Sequence, residues 1–337
     1  MRKNWLESLK GVGPGFAVAA TGVGAGDIVA ASVAGAKYGT VVLWAAVLGA
    51  LIKYVLNEGI SRWQLATGTT VLEGWRERFH PFVSFYFLVY LILWSLIVGA
   101  ALSSACGLAA HAINDSLSVT GWAIVHSVAA VIIVLFGRYA LFERLMKLFT
   151  GVMFATIILC ALLARPDWIS LIPSLVVPTN PEASGKFLIG LMGGVGGSVT
   201  LLSYGYWIRE KNWKGREYIP LAKLDLGIAY CFTGMFAVAM MIIAAGVQPS
   251  VISGDTMALE VARRVEEVMG PVGKWSFLFG FWGVVFTSVL GVWQGIPYLF
   301  ADFMLLREKR LGKAMTGEAL ISSRPYRGFL MFLACPP

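Results

Sequence analysis

The sequence predicts an all-α polytopic membrane protein organised as two inverted five-helix repeats. Of its 337 residues, 58% are hydrophobic and 14% are charged, whereas soluble domains carry about 25% charged residues. Many apolar runs reach the ~20 residues that a transmembrane helix needs. Two of these runs are interrupted by glycine clusters at corresponding places in the two halves of the chain, a pattern typical of inverted repeats.

The apolar runs predict eight complete helices and the start of a ninth. We place them at residues 12–36, 40–61, 82–110, 120–136, 140–164, 187–209, 222–246 and 272–304, with the ninth beginning near Arg327. The segment 247–271 carries glutamates beside arginines and predicts a short amphipathic helix at the outer surface.

The basic residues predict the orientation of these helices. An N-terminus in the cytoplasm places most of the 27 lysines and arginines in inner loops, as the positive-inside rule requires. The +8 net charge is therefore an orientation signal and does not indicate nucleic-acid binding. We predict an integral protein of a bacterial plasma membrane. No pattern indicates its oligomeric state.

The order of elements divides the chain into two repeats. Residues 1–165 form the first, and its opening helix is broken near 22–27. Residues 184–337 form the second, and its opening helix is broken near 193–203. A repeat of five helices places its successor upside down in the membrane. The second repeat is incomplete, because the ninth helix is a stub and a tenth is missing, so we expect a fold truncated in helix 9.

The first interruption, Thr21-Gly22-Val23-Gly24-Ala25-Gly26-Asp27, is expensive for a continuous membrane helix. Each glycine costs about 1 kcal/mol against alanine, and a mid-bilayer aspartate costs roughly 2.5–3.5 kcal/mol. A broken helix whose free backbone lines a cavity tolerates both. Asp27 is then either the main cation ligand or the N-cap of the second half-helix, and one carboxylate can do both.

Several function classes lack their signatures. The cysteines Cys106, Cys160, Cys231 and Cys335 lie in apolar runs without metal-ligand spacing, so we interpret them as core residues. There is no HExxH motif, phosphate loop or nucleophile–base pairing, so we predict neither an enzyme nor a bound cofactor.

Several short stretches resemble the start of the Nramp family of divalent metal transporters. They are Gly13-Pro14-Gly15-Phe16, Gly24-Ala25-Gly26-Asp27, Ala34-Gly35-Ala36-Lys37-Tyr38-Gly39 and Leu43-Trp44. The stretches from Asn57 to Thr70 and from Tyr204 to Glu210 are similar to a divergent, Nramp-related branch. The resemblance covers essentially the whole chain and implies the leucine-transporter-type inverted repeat, with a divalent cation as substrate.

The sequence departs from the family at the ligand positions. The aspartate of the family's helix 1 aligns with Gly24 and its asparagine with Asp27. In helix 6, the methionine aligns with Leu201 and the histidine with Ser203, and the residue that offers a carbonyl aligns with Ser198.

The remaining ligands are oxygens. They are the Asp27 carboxylate, the hydroxyls of Ser198, Thr200 and Ser203, the Tyr204 phenol and unwound carbonyls. An all-oxygen site favours a hard cation such as Mg²⁺ or Mn²⁺. The predicted third helix contains no Asp or Glu for a proton route, so we expect passive or differently coupled transport.

Other polar residues within the predicted membrane helices form a second group of candidate functional residues. Lys53, Asn57 and Glu58 form either a permeation network or a structural pair, and a Lys53–Asp27 ion pair would favour a non-metal substrate. Gln294, beside a Gly/Pro kink, either faces the cavity or bonds to freed backbone. Asp302 is expected to anchor at the membrane interface.

The leading prediction is therefore a secondary-type transporter of divalent cations that works by alternating access. Its expected partners are the metal ion and the lipid bilayer. Two alternatives stay open: an organic-solute transporter of the same fold, and a non-transporting remnant.

Overall fold

The computed structural model describes residues 13–136, 139–164, 166–182, 184–245, 257–310 and 317–335. Its α-helices are α1 (Pro14–Gly22), α2 (Ala25–Tyr38), α3 (Leu43–Thr67), α4 (Val71–Arg78), α5 (Pro81–Ile113), α6 (Val119–Phe136), α7 (Tyr139–Leu163), α8 (Trp168–Val176), α9 (Gly185–Gly194), α10 (Tyr204–Glu210), α11 (Ile219–Ala244), α12 (Met257–Arg310), α13 (Gly317–Ile321) and α14 (Arg324–Ala334). Short 3₁₀ turns cover Gly39–Val42, Val199–Ser203 and Arg216–Tyr218.

Within the described residues, seven helical stretches are long and apolar enough to cross a membrane. One of them, Gly26–Thr67, joins two predicted helices, because a 3₁₀ turn connects α2 to α3. Gly39 makes that connection possible with a positive φ of 64°, a conformation that glycine adopts without steric cost.

Three short helices were not predicted: α4, α8 and α13. Local capping explains two of them. Thr70 accepts from the Glu73 amide while Glu73 accepts from the Thr70 amide, which forms a capping box at the start of α4. Asp167 accepts from the Ile169 amide at the start of α8.

The predicted outer amphipathic helix is the first part of α12, and residues 247–256 of that predicted segment lie outside the described residues. Gly270 has a φ of 71° and breaks the helical geometry inside α12. The mixed charges predicted for this segment pair locally, as in Arg264 with Glu267 at 2.9 Å.

α12 is the most buried long helix and packs against α5, α7, α1 and α14. α11 packs against α2 and α3. In contrast, α5 and α6 expose large apolar side chains such as Ile97 and Ile132, as helices that face lipid do.

We define the two ends of the helix bundle by the elements in contact there, and call them the α1 end and the α8 end. At the α1 end, Gly13 bonds to Asp225 of α11, and Lys223 pairs with Glu58 of α3. At the α8 end, Trp44 Nε1 donates to the carbonyl of Thr179, after α8. Between these ends lie two helix breaks: the first break between α1 and α2, and the second break between α9 and α10.

Candidate substrate site

The first break places a carboxylate at the start of α2. Gly24 is extended, with φ −97° and ψ 179°. Its N–H donates to Asp27 Oδ2 at 2.8 Å, and the Asp27 N–H donates to the Gly24 carbonyl at 3.1 Å. Asp27 therefore caps α2, and its charge is favourable at a helix N-terminus. The side chain remains only half-buried.

The second break is built on glycines and closed by a lysine. Gly196 and Gly197 have φ values of 80° and 81°, in the left-handed region that favours glycine. Lys53, which is 7% exposed, reaches across from α3 and donates to the carbonyl of Gly193 at 2.7 Å and to that of Gly197. A buried cation thus caps the C-terminus of α9.

The two breaks touch each other through their backbones. A Cβ placed on Gly22 would lie 2.7 Å from the carbonyl oxygen of Gly196. Asp27 Oδ1 faces the second break, 3.4 Å from the position that a Cβ on Gly194 would take. The glycines of both interruptions are therefore needed for this close approach.

A cavity of about 320 Å³ opens beside the touching breaks. It is lined by Thr21, Gly22, Gly24, Gly26, Asp27, Ala30, Trp94, Val98, Ala101, Leu102, Gly190, Gly193, Gly194, Gly197, Ser198, Thr200 and Val292. Four of the predicted site residues, Gly24, Asp27, Ser198 and Thr200, are thus brought together.

The other two predicted site residues do not line this cavity. Ser203 faces α12, so close that a Cβ on Gly295 would lie 2.6 Å from its hydroxyl oxygen. The Tyr204 hydroxyl donates to Asp225 Oδ2 at 2.9 Å. Ser203 ends the 3₁₀ turn and Tyr204 begins α10, so both lie where the second break passes into α10.

Asp225 gathers three donors in a fully buried cluster. Besides Tyr204, the N–H groups of Gly13 and Gly15 donate to its carboxylate at 3.0 and 2.6 Å. The cluster ties α1, α10 and α11 together at the α1 end. The sequence offered one signal for it, an acid within the start of the predicted seventh helix, which our prediction did not use.

Of the predicted network, only Lys53 reaches the breaks. Asn57 Nδ2 donates to the Tyr230 hydroxyl at 3.0 Å, and Glu58 pairs with Arg62 at 3.2 Å and with Lys223. These contacts support the structural interpretation of Asn57 and Glu58.

Gln294 lies in the core, where its Oε1 accepts from Trp207 Nε1 at 2.5 Å. Its side chain therefore bonds to another side chain rather than to backbone freed by the kink. Asp302 is also buried and accepts from the Thr70 and Tyr206 hydroxyls at 2.9 and 2.7 Å. It is therefore not the interfacial anchor that we expected.

Asp27 and Lys53 attract each other electrostatically. Among the described residues, however, they do not form an ion pair within 4.0 Å, since each charge is engaged by the backbone of a break. Lys53 does not line the cavity either. The alternative of a direct Lys53–Asp27 pair is therefore not what the structure contains.

Two polar residues of the cavity were not among the predicted site residues. Trp94 Nε1 donates to the Ser198 hydroxyl at 3.1 Å and so joins α5 to the second break. Thr21 lines the cavity near the end of α1. Trp94 lies within the long apolar run of α5 and has no local sequence signal, whereas Thr21 begins the first interruption and could have been considered from the sequence.

A larger groove of about 500 Å³ lies between α3, α8 and α11. Its lining is almost wholly apolar and includes Leu51 and Met235, which are exposed on the outside of the bundle. It offers no set of ligands, so the smaller cavity at the breaks is the candidate site.

The donor set of the candidate site consists of oxygens. No group of three or more His, Cys, Asp or Glu residues converges within the part of the chain that the structure describes. A single carboxylate with hydroxyls and carbonyls can hold a hard cation that keeps part of its water shell.

Comparison with known proteins now identifies the family. The model of the Nramp family, described as natural resistance-associated macrophage protein-like, matches residues 15–322. The chain belongs to the Nramp family. It is an integral membrane protein, and the predicted fold class, an all-α leucine-transporter-type fold, is confirmed by solved structures that resemble it.

Two such structures are informative for this Nramp chain. The Eremococcus coleocola manganese transporter shares 15% identity with a TM-score of 0.73, covering 99% of this chain and 71% of that one. MHP1, a nucleobase-cation-symport-1 family transporter, shares 15% identity with a TM-score of 0.62, covering 96% and 72%. These likenesses show the fold.

One curated relative matches in sequence. An uncharacterized protein of Pasteurella multocida (strain Pm70) is 22% identical over 285 residues, or 82% of this chain. The chain spans 65% of the length of that relative.

Proposed function

We propose that this Nramp protein is a secondary transporter of divalent metal cations, with Mn²⁺ or Mg²⁺ as substrate. One observation carries the proposal: Asp27 caps α2 with Oδ2 while it lines the cavity between two broken helices. A half-buried carboxylate at this place is what a cation-binding site in such a fold requires. The ion is the cargo, and no resident cofactor is needed.

The ion would keep part of its hydration. Only Asp27 supplies a charge, and the hydroxyls of Ser198 and Thr200 supply neutral oxygens. Mg²⁺ loses water reluctantly and is commonly held through one or two carboxylates. A cavity of about 320 Å³ has room for an ion with several waters, since each water takes about 30 Å³ of liquid volume.

For alternating access, the cavity would open to one side of the membrane at a time, and the contacts on its two sides differ. The lining residues come from α1, α2, α5, α9, α12 and the two breaks. At the α1 end, Asp225 fastens α1, and Glu143 of α7 pairs with Lys211 at 2.6 Å. We propose that this arrangement is closed at the α1 end and that transport requires α1 to move away from α11.

We propose that the α1 end faces the cytoplasm and that the membrane is a bacterial plasma membrane; the positive-inside rule supports this orientation. Basic residues such as Arg62 of α3, Lys211 after α10 and Lys223 of α11 form their ion pairs at this end. The division into repeats of residues 1–165 and 184–337 remains part of this proposal.

A proteoliposome uptake screen tests the proposal. Purified protein is assayed with Mg²⁺, Mn²⁺, Ca²⁺ and Fe²⁺, with and without a pH gradient. We expect saturable uptake of a hard cation, and the Asp27→Ala variant should reduce binding affinity by about 100-fold, since an ion-pair ligand is lost. Uptake of no divalent ion by protein that retains its fold would contradict the proposal.

The control is a second helix-capping aspartate. Asp167 caps α8 but is exposed and lies outside the cavity. Asp167→Ala should lose a cap of about 1 kcal/mol while uptake stays at the wild-type level. Asp27→Asn separates the two roles of Asp27, because an amide oxygen can still accept from Gly24 but carries no charge.

A second candidate, transport of an organic solute, is favoured by Lys53. Its ammonium offsets the Asp27 charge at the neighbouring break, and half-helix termini can hold the charged groups of a zwitterion. Thermal stabilisation by an amino acid but by no divalent ion would select this candidate. No ligand response and no uptake of either class would select the non-transporting remnant.

A further inference from the structure

The apolar groove between α3, α8 and α11 ends beside charged side chains. On α3, the residues that line it from Val47 to Tyr54 recur at the three- and four-residue spacing of one helix face. The same face continues to Glu58 and Arg62, about one and two turns beyond Tyr54. The apolar lining of α3 therefore passes directly into a carboxylate and a guanidinium.

α11 shows the same change in the opposite chain direction. Its lining residues run from Val238 back to Gly227, and Lys223 follows about one turn further on the same face. A Cβ on Gly227 would lie 3.9 Å from the Tyr54 ring. Beyond this level, Lys223 Nζ lies 3.5 Å from Glu58 Oε1. Both helices therefore turn from apolar to charged at the same level, at the α1 end of the groove.

The groove has the dimensions of one lipid chain. Small residues bring the two helices together at its floor, where a Cβ on Gly234 would lie 3.1 Å from that of Ala50, while Leu51 and Met235 are exposed at its rim. Along α11 the groove extends for about 16 Å, at ~1.5 Å per residue. The hydrocarbon layer of one leaflet is about 15 Å thick, half of the ~30 Å core. A chain that lies in this groove therefore reaches from the charged level to the middle of the bilayer.

The charged side chains at the α1 end of the groove leave a net positive surface. The Arg62 and Lys223 side chains are 59% and 49% exposed, and both pair with the Glu58 carboxylate, at 3.2 and 3.5 Å. Two cations against one carboxylate give this group a net charge of +1. A guanidinium and an ammonium each have several N–H donors, so both side chains keep donors that can bind an anion from the membrane side.

We propose that this groove holds an acyl chain of an anionic phospholipid whose phosphate is bound by Arg62 and Lys223. The groove supplies apolar contact along one chain, and the two cations match the charge of the headgroup. Basic pockets between transmembrane helices on the cytoplasmic side bind anionic headgroups, and the proposed orientation places this end of the groove in the inner leaflet. A zwitterionic lipid carries its own cation and would gain less from the same two residues.

A lipid in this groove would join two helices that support the breaks. α3 carries Lys53, which donates to carbonyls of the second break, and α11 carries Asp225, which fastens α1. The lipid would therefore favour the arrangement in which the α1 end is closed. This effect on transport rests on the proposed function, whereas lipid binding itself does not.

The test is thermal unfolding of the purified full chain in detergent without divalent metal. Melting curves are recorded with increasing dioleoyl phosphatidylglycerol and with dioleoyl phosphatidylcholine, which has the same acyl chains. We expect a saturable rise of Tm that reaches half its maximum at a phosphatidylglycerol concentration about fivefold below that of phosphatidylcholine. Arg62→Gln and Lys223→Gln should each weaken the apparent affinity for phosphatidylglycerol by about fivefold, the loss expected for one basic residue at an anionic surface.

Matched variants separate loss of the lipid site from a general change in the protein. Lys147→Gln removes another lysine that pairs with a glutamate, at 2.7 Å, but that lies on α7 outside the groove, and it should retain the full response. Cys231→Trp fills the groove from α11 and should abolish the saturable response. Val128→Trp adds the same ring to the exposed surface of α6 and should leave the response unchanged.

The exposed thiol of Cys231 lines the groove and reports its occupancy directly. In a Cys335→Ser background, phosphatidylglycerol should slow the reaction of Cys231 with N-ethylmaleimide, because a bound acyl chain covers the thiol. Glycerol phosphate, which has no acyl chain, should leave the rate unchanged.

Equal Tm responses to the two lipids would overturn the proposal, and so would a wild-type response in folded Arg62→Gln and Lys223→Gln proteins. A rise of Tm in glycerol phosphate as large as that in the lipid would show binding of a free anion and would also overturn it. If both variants fail to fold, labelling of Cys231 decides, and a thiol that phosphatidylglycerol leaves unprotected overturns the site. Failure of metal uptake with an intact lipid response would instead count against the proposed substrate alone.

Discussion

Each of the two helix breaks exposes backbone groups that bond to a charged side chain, and the two charges are opposite. The first break exposes the N-terminus of α2, and the Asp27 carboxylate accepts from its backbone. The second break exposes the C-terminus of α9, and the Lys53 ammonium donates to its carbonyls. Each charge matches the local helix dipole. The Asp27 carboxylate lies on the broken helix itself, whereas the Lys53 ammonium extends from α3.

Asp27 can therefore exchange its ligand, whereas Lys53 stays bonded to the backbone of the second break. Asp27 is half-buried, lines the cavity and uses one oxygen for capping, so its other oxygen is available to a ligand. Lys53 is buried behind the cavity wall. We infer that the first break exchanges ligands while the second is held fixed, and three predictions test this division.

The largest expected effect is the loss of the lysine. Lys53→Met removes two charge-assisted hydrogen bonds and leaves the Gly193 and Gly197 carbonyls without their donor. Such bonds contribute roughly 1.5–3 kcal/mol each, so we expect a loss of about 3 kcal/mol in stability. Chemical unfolding in detergent, followed by tryptophan fluorescence, measures it.

Lys186→Met provides the comparison for this variant, because Lys186 is an exposed lysine in the first turn of α9. It should change stability by no more than about 0.5 kcal/mol. Similar effects of the two substitutions would show that the second break does not depend on its internal cation.

The next effect concerns the direct contact of the two breaks. Gly22→Ala places a methyl group 2.7 Å from the Gly196 carbonyl oxygen, so one break must move. Overpacking of this kind costs typically 1–3 kcal/mol, and we expect about 2 kcal/mol by the same unfolding assay. Gly26→Ala is the control, since no atom lies within 4 Å of its added Cβ. It should be neutral or stabilising by up to about 1 kcal/mol.

The smallest effect is the coupling between the two charges. Because Asp27 and Lys53 attract each other across touching breaks, a double-mutant cycle with Asp27→Asn and Lys53→Met should give an interaction of about 1 kcal/mol. Strict additivity would mean that the breaks are electrostatically independent. Asp27→Asn alone should lose metal affinity while most of the cap persists.

The sequence was sufficient to predict the fold for clear physical reasons. Long apolar runs indicate membrane helices, and glycine clusters that a continuous helix would not tolerate indicate their breaks. α4 and α8 were missed because they have only 8 and 9 residues, fewer than half of the ~20 that mark a membrane-spanning helix. The joining of α2 to α3 depended on the Gly39 turn, which hydropathy does not reveal.

The site was predicted less completely because side-chain direction depends on tertiary structure. Asp27 and Ser198 flank the breaks, and the sequence places them there directly. Tyr204 follows a 3₁₀ turn, so its hydroxyl bonds to Asp225 instead of facing the cavity. Lys53 is engaged by carbonyls at positions far along the chain, a pairing that no local pattern encodes.

The Asp225 cluster has a consequence for how the protein can be tuned. Its α1 partners are main-chain N–H groups of Gly13 and Gly15, which every residue except proline possesses. Gly15 must stay small, because a Cβ there would lie 2.4 Å from the Asp225 carbonyl oxygen. The strength of this contact can therefore be adjusted by substitution mainly at Asp225 on α11 and at Tyr204 on α10, whose hydroxyl is the third donor.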